Sequence, residues 1–525
     1  VLGMNDQKLP LSIYLLRPDR VDAFKQKLLD GSQLVLPLSK PFDGFVLPLK
    51  NRENTPDWVT VLKSALENPG GLLLTSQSAG ALMFLNHAGK SFVLSFGYGW
   101  RKLEDEWLEL DFGRRVALNS IDPDKIVEMQ SEQVFAKWHR SSERAPRASR
   151  IDEFSVESDR DLVATVEGLS SVKLFGKIVR GGTNLHFEVP FAKLDSVLTK
   201  AISLFASHAY QNRWPEVDNV SPVKDQSLID KLEVRLDAEL AAGTAQPKMV
   251  MFTPTYRRVE SVPVDSYVFG RLTDGAATTP YLMVDSWTNF LARKGRKPSV
   301  AEARATPIHL LGDAKEEMSS CDAFDCFGYE MGLDGRQYIL SSGVWYEVVV
   351  EFLKKINNAA STIAGPGVTL PAWDGSESEP EYNLRCGKRP GFLHFDTKNI
   401  YYGGNQSKFE FCDLLHMKSK TLYFAKIASK SSGMSHLVEQ VRRTAELLFS
   451  TDGTYRQELI KIFKKQHKGE DTEWLKSKPR NSDWNLCLVS LGKSTAQLPF
   501  FARCSVVKLY KDLRERGHEV SFLKV

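Results

Sequence analysis

Two hydrophobic rhythms run along this chain, and the point where one gives way to the other sets its expected organisation. Residues 11–16, 71–75, 81–85 and 90–96 are apolar runs of strand length, bounded by Gly, Asn and His. Asn86-His-Ala-Gly89 and Gly97-Tyr-Gly99 between and after them are turn signals. With a short amphipathic helix over 21–29, the stretch 4–151 reads as an α+β domain, mainly antiparallel sheet. In 152–370 helical composition appears at 191–208 and 225–241, and strands at 248–252 and 267–271. A strand, small turn and second strand over 336–348 lead into a helix over 350–358, giving a second α+β domain. Residues 363–380 are rich in Gly, Pro and Ser and read as a linker.

Beyond that stretch the pattern changes. A short helix at 379–387 precedes strands within 391–402, 409–415 and 421–428. Met434, Leu437, Val438, Val441, Ala445 and Leu448 then share one face at helical spacing. A basic helical insertion (455–478), a strand (485–491), a helix (505–517) and a strand (518–523) close the chain. Helix, strands, helix, strand, helix, strand predicts a mixed sheet with helices on its faces over 379–525. The expected fold class is therefore α/β and α+β, in three domains.

Length agrees, since 525 residues exceed one core and suggest two to four domains. No apolar run approaches the roughly 20 residues that cross a bilayer. The first residues lack a charged segment followed by an apolar one, so no secretory leader is expected. A cytoplasmic protein with no membrane partner follows as the expectation. The six cysteines form no C-x-x-C pair, Cys321 and Cys326 being the nearest two, and reduced structural thiols are expected. Charge changes the picture more. Residues 379–525 hold 26 Lys+Arg against 16 Asp+Glu, a net +10, whereas the remainder nets −6. Such a contrast points to a polyanionic partner for the last third, or to a solvated basic surface. The basic stretch 137–150 is either a loop between domains or a phosphate-contacting loop.

Candidate chemistry sits in the same last third. Phosphodiester hydrolysis needs a divalent cation held by carboxylates, plus a base or cation that positions water. Asp413 on one expected strand and Lys426 on the next suit those roles, with Glu381 on the preceding helix as a second carboxylate and Gln440 as support. Lysine inside an apolar strand requires a partner, and Asp413 is the expected one. Asp413 also has a structural alternative, as a strand-end carboxylate accepting from backbone amides. Ser431 and Ser432 read as helix caps; Trp345 and Tyr346 read as core. The Gly-Lys-Ser in 88–91 lacks the glycine and helix of a phosphate loop and reads as a hairpin turn.

Glu381, the βββαβ run, Asp413, the Phe-Ala-Lys426 segment and Gln440 together resemble the PD-(D/E)xK nuclease superfamily. One departure is plain: Phe424 stands two before Lys426, where the family pattern has Asp or Glu. Ligation has then moved to Glu381, Asp396 or Glu410, or the domain no longer cuts. Residues 96–99, 115–124, 343–346, 410–413 and 435–437 further resemble a sporadically distributed bacterial family of uncharacterised function, tied to restriction or phage defence. These resemblances imply a nuclease acting on DNA, or on RNA, with Mg²⁺ or Mn²⁺ at Asp413 and Glu381. Arg442, Arg443, Lys464 and Lys465 would contact nucleic acid, and a homodimer is a further expected partner. The alternative is a non-catalytic nucleic-acid-binding or sensor protein with a degenerate nuclease fold.

Overall fold

The computed structural model describes the chain apart from residues 1–7, 31–33, 55–56, 65–69, 71–75, 134–138, 151–153, 155–160, 255–263, 274–275, 313–314, 316, 396–398, 403–406 and 429–430. The apolar run at 71–75 and the turn proposed at Asp396 lie outside the described residues. The chain divides into two units, residues 1–132 with 140–218, and residues 219–525 with 133–139.

The first unit is built on a ten-stranded sheet. Its centre runs Ser76–His87, Lys90–Gly97, Lys8–Leu15, Leu185–Pro190, Ile178–Gly181 and Asp161–Ser170, each antiparallel to its neighbour. Alternation sorts the faces. Leu11, Ile13, Leu15, Met83 and Leu85 point to helices Phe112–Ser120 and Leu194–Ala206, while Leu82, Phe84 and Val93 meet Phe24 and Trp107 on the other side. Gly113 lets helix Phe112–Ser120 lie directly on the sheet, since a Cβ there would come within 1.9 Å of the Asn184 carbonyl oxygen. Three expectations change here. The boundary at 151 falls inside this sheet, because Asp161–Ser170, Ile178–Gly181 and Leu185–Pro190 complete it. The helix expected at 191–208 belongs to this unit as well. The basic stretch 137–150 is no loop from His139 onward: His139–Ser149 is the sheet's edge strand.

The second unit begins with two antiparallel sheets. One runs Val220–Pro222, Val344–Val348, Arg336–Ser341, Phe327–Leu333, Val250–Met251, and the other Thr278–Thr279, Ser266–Phe269, Pro307–Leu311, Glu317–Asp322. Trp287, Tyr329 and Trp345 pack in their core, as expected for Trp345. All six cysteines are free and buried. The Gly/Pro/Ser-rich stretch at 363–380 is a strap rather than a free linker. Leu370 is buried, and the Val368 and Pro371 carbonyls accept from the Tyr423 and Tyr382 hydroxyls at 2.6 and 2.7 Å. Nor are 219–370 and 379–525 separate units: the Glu330 carboxylate accepts from the Phe500 N–H at 2.9 Å, and Arg503 donates to Asn357.

Past the strap lies the expected mixed sheet, in the order Phe392–His394, Leu414–His416, Thr421–Ile427, Asn485–Leu491, Glu519–Lys524. The first three strands are antiparallel and the last three parallel. Leu422 and Phe424 face helices Ser431–Leu448, Thr454–Gln466 and Phe500–Glu515, whereas Tyr423 and Ala425 face helix Glu379–Gly387 and the strap. The buried Arg456 guanidinium donates to the Leu448 and Ser450 carbonyls, so that part of the basic insertion terminates a helix. Strands Asn399–Tyr402 and Ser407–Glu410 leave the sheet as a separate ribbon. Among the described residues no helix is long and apolar enough to cross a membrane.

Candidate functional site

The site forms where one strand loses its neighbour. Leu414–His416 pairs with Thr421–Ile427 over only three positions, Leu414↔Tyr423 to His416↔Thr421. Above Tyr423 the edge of the Thr421 strand would expose backbone N–H groups, which must find partners. Side chains supply them. The Asp413 carboxylate accepts from the Ala425 N–H at 2.6 Å, and the Glu379 carboxylate accepts from the Ile427 N–H at 3.4 Å. Between these two residues, Lys426 sends its ammonium to the other Glu379 oxygen at 2.6 Å. Amides two residues apart on a strand are separated by about 7 Å, so Asp413 and Glu379 cap one short length of edge with Lys426 beside them. Asp413 is buried, whereas the Lys426 and Glu379 side chains are 31% and 20% exposed, within reach of solvent.

Glu379 reaches this edge because its helix starts there. Ser378 and Glu381 form a reciprocal capping box, and Pro380 stands in the first turn. The same box takes Glu381 out of the site: its carboxylate accepts from the Ser378 amide at 2.8 Å and the Ser378 hydroxyl at 2.6 Å. Those two bonds hold the Glu381 carboxyl below its usual range. The helix carboxylate that faces the strand is thus Glu379, two residues before the expected one, and Glu379 rather than Asp413 pairs with Lys426. Asp413 itself takes the structural role open to it, on a backbone amide. Phe424 is fully buried among the apolar residues beneath the Ser431 helix, so no carboxylate enters from that position.

The remaining expected residues lie further out. Gln440 donates to Glu410 at 3.4 Å, a contact between helix and ribbon. Arg442 lies between Glu439 and Asp512, and Arg443 between Glu439 and Glu446. Lys464 and Lys465 are exposed in the last turn of helix Thr454–Gln466. Ser431 opens its helix, but its side chain and that of Ser432 lie outside the described residues.

Sequence reasoning missed Glu379 and, one helical turn later, Asn383. Glu379, Tyr382, Asn383 and Cys386 recur at helical spacing, and the last three are buried. A polar amide inside that buried stripe was the available signal. Both Asn383 side-chain atoms lack hydrogen-bond partners.

Among the described residues no group of three or more His, Cys, Asp and Glu is placed to hold a metal. A closed protein cage is therefore not the fit. Mg²⁺-class ions, however, are commonly held by one or two carboxylates and otherwise by water. Two carboxylates on one strand edge, Asp413 buried and Glu379 a fifth exposed, match that count of protein ligands.

No curated protein and no solved structure matches the chain. Residues 11–525 match a family model, nearly the whole length, and the chain accordingly belongs to the family of unknown function DUF6119.

Proposed function

We propose that the C-terminal part is a nuclease-like phosphodiesterase acting on nucleic acid, DNA before RNA, in a restriction or phage-defence setting. Asp413 and Glu379 would hold a divalent cation, Mg²⁺ or Mn²⁺. Lys426 would leave Glu379 to orient the attacking water or meet the phosphate. Bound there, the cation would supply a polarised water and neutralise developing charge. The observation that carries the reading is that Asp413 and Glu379 cap neighbouring amides of one strand edge, with Lys426 ion-paired to Glu379 between them. Further support comes from the helix, antiparallel meander and parallel return, which is the element order the resemblance implies. The net +10 of residues 379–525 supplies a surface for a polyanion.

Buried Phe424 favours a second reading, in which the same fold binds nucleic acid without cutting it. Cleavage assays of the full chain on unmodified DNA, phage-derived DNA and RNA, with Mg²⁺ or Mn²⁺ against EDTA, separate the two. The nuclease-like reading expects metal-dependent cutting that falls by roughly 100-fold or more in Lys426→Ala, with Asp413→Ala and Glu379→Ala equally impaired. Low-salt binding should survive in all three, because affinity resides in the wider basic surface. Binding without cleavage, together with equal phage resistance in cells carrying wild type or Lys426→Ala, establishes the second reading instead.

A further inference from the structure

Asn383 is fully buried in helix Glu379–Gly387, and neither its amide nitrogen nor its amide oxygen has a partner. Burying a donor and an acceptor unmet is destabilising, and leucine both forms helix better and suits an apolar face. Tyr382 and Cys386 beside it belong to the apolar cluster that includes Leu414, Tyr423 and Ala425. The fold therefore gives no reason for an amide at this position.

Its place on the sheet does. At the start of the helix, the Glu379 carboxylate meets the Ile427 N–H. At its end, a Cβ on Gly387 would lie 2.7 Å from His394 and 3.4 Å from Leu414, which pair with each other, and Leu414 pairs with Tyr423 in turn. The helix thus runs obliquely, against the Thr421 strand and toward the Phe392 strand, descending four residue rows in eight residues of its own. These are about 13 Å at strand rise and about 12 Å at helix rise, so the two keep step. On that spacing Asn383, midway along the helix, falls level with Ala425. That is the residue whose N–H carries the Asp413 carboxylate.

We propose that Asn383 is a further member of the site, holding the hydration shell of a divalent cation carried by Asp413 and Glu379. This rests on the nuclease-like reading. An amide suits the task because its oxygen accepts from cation-bound water while its nitrogen donates to a carboxylate or a second water. Mg²⁺-class ions keep several waters and need such outer partners.

The test uses the full chain, with Mn²⁺ titration calorimetry and thermal unfolding in EDTA. Asn383→Leu should melt no lower than wild type without metal, yet bind Mn²⁺ on the order of 10- to 100-fold more weakly, the usual effect of losing an outer partner. Asn383→Asp, which keeps an acceptor, should retain Mn²⁺ binding and guards against a leucine variant that fails to fold. Unchanged Mn²⁺ affinity in Asn383→Leu, with a lower melting temperature, overturns the proposal and leaves Asn383 a packing residue. If wild type binds no Mn²⁺, or Asp413→Ala binds it as well as wild type does, the nuclease-like reading falls and this inference with it. Loss of binding in Asp413→Ala but not in Asn383→Leu sinks the inference alone.

Discussion

The ten-stranded sheet of the first unit and the mixed sheet near the C-terminus satisfy their backbones differently. In the first, Ser76–His87 and Lys90–Gly97 pair without interruption from Gly80↔Gly97 to His87↔Lys90. Backbone meets backbone, and carboxylates are left for surface pairs such as Asp122 with Lys125. In the second, the strand carrying Lys426 outruns its neighbour, and Asp413 and Glu379 take the amides left over. Orphaned backbone groups attract charged side chains, and charged side chains held at a sheet edge are available for chemistry. The site proposed for this protein lies where pairing stops.

The comparison can be tested from its strongest consequence downward. Both sheets should depend equally on their apolar faces. Phe424→Ala and Phe187→Ala, each at a buried strand position, should each lower stability by roughly 3–5 kcal/mol. Urea unfolding resolved by hydrogen exchange measures this, and a loss below about 1 kcal/mol at Phe424 would mean that its position is not core.

Acid should distinguish the C-terminal sheet next. Burial first, then the charges of Arg516 and Lys478, push the His518 imidazole from its usual 6.5 down to about 4. The folded state therefore holds it neutral. Its contribution is complete above pH 6.5 and disappears as pH falls through about 4. The loss would be roughly 3 kcal/mol at most. His518→Gln should flatten the stability profile across that window; an unchanged profile would assign the acid sensitivity elsewhere.

Edge capping comes third. Asp413→Ala leaves the buried Ala425 N–H unmet and should cost about 1–3 kcal/mol, whereas Asp122→Ala in the first unit should change little, its ion pair being solvated. Equal small effects from both would show that Asp413 is not needed to close the edge. The smallest effect separates two pairs of cations. Lys464→Ala and Lys465→Ala should each reduce the log–log salt slope of DNA binding by about one. Arg442→Ala and Arg443→Ala, whose charges face Glu439, Glu446 and Asp512, should change that slope less. A larger effect from the arginines would move the binding face to the Ser431 helix.

Much of this was legible in the sequence, because periodicity is a local property. Spacing alone gave the Ser431 helix its buried face, with Met434, Leu437, Val441 and Leu448 in the core. The order of elements after residue 379 likewise implied the mixed sheet. Lysine within an apolar strand announced that Lys426 needed a partner, since an ammonium drawn partly out of water is costly unless paired. Family membership was foreshadowed by short segments scattered from 96 to 437.

Tertiary structure alone decided who that partner is. The sequence pointed to Asp413; in the structure Asp413 caps the Ala425 amide, the Ser378 capping box takes Glu381, and the starting point of the helix brings Glu379 to the strand. It also decided the boundaries. Asp161–Ser170 and its successors look like a new domain because pairing across the sheet joins residues far apart in sequence, as Lys8 with Pro190, and no local pattern records that. The strap at 363–380 reads as a linker by composition, yet its carbonyls accept from Tyr423 and Tyr382. Sequence determines which groups are polar, charged or apolar. Which backbone amides are left without a neighbour, and so which carboxylates are drawn to them, is fixed only when strands of unequal length are laid side by side.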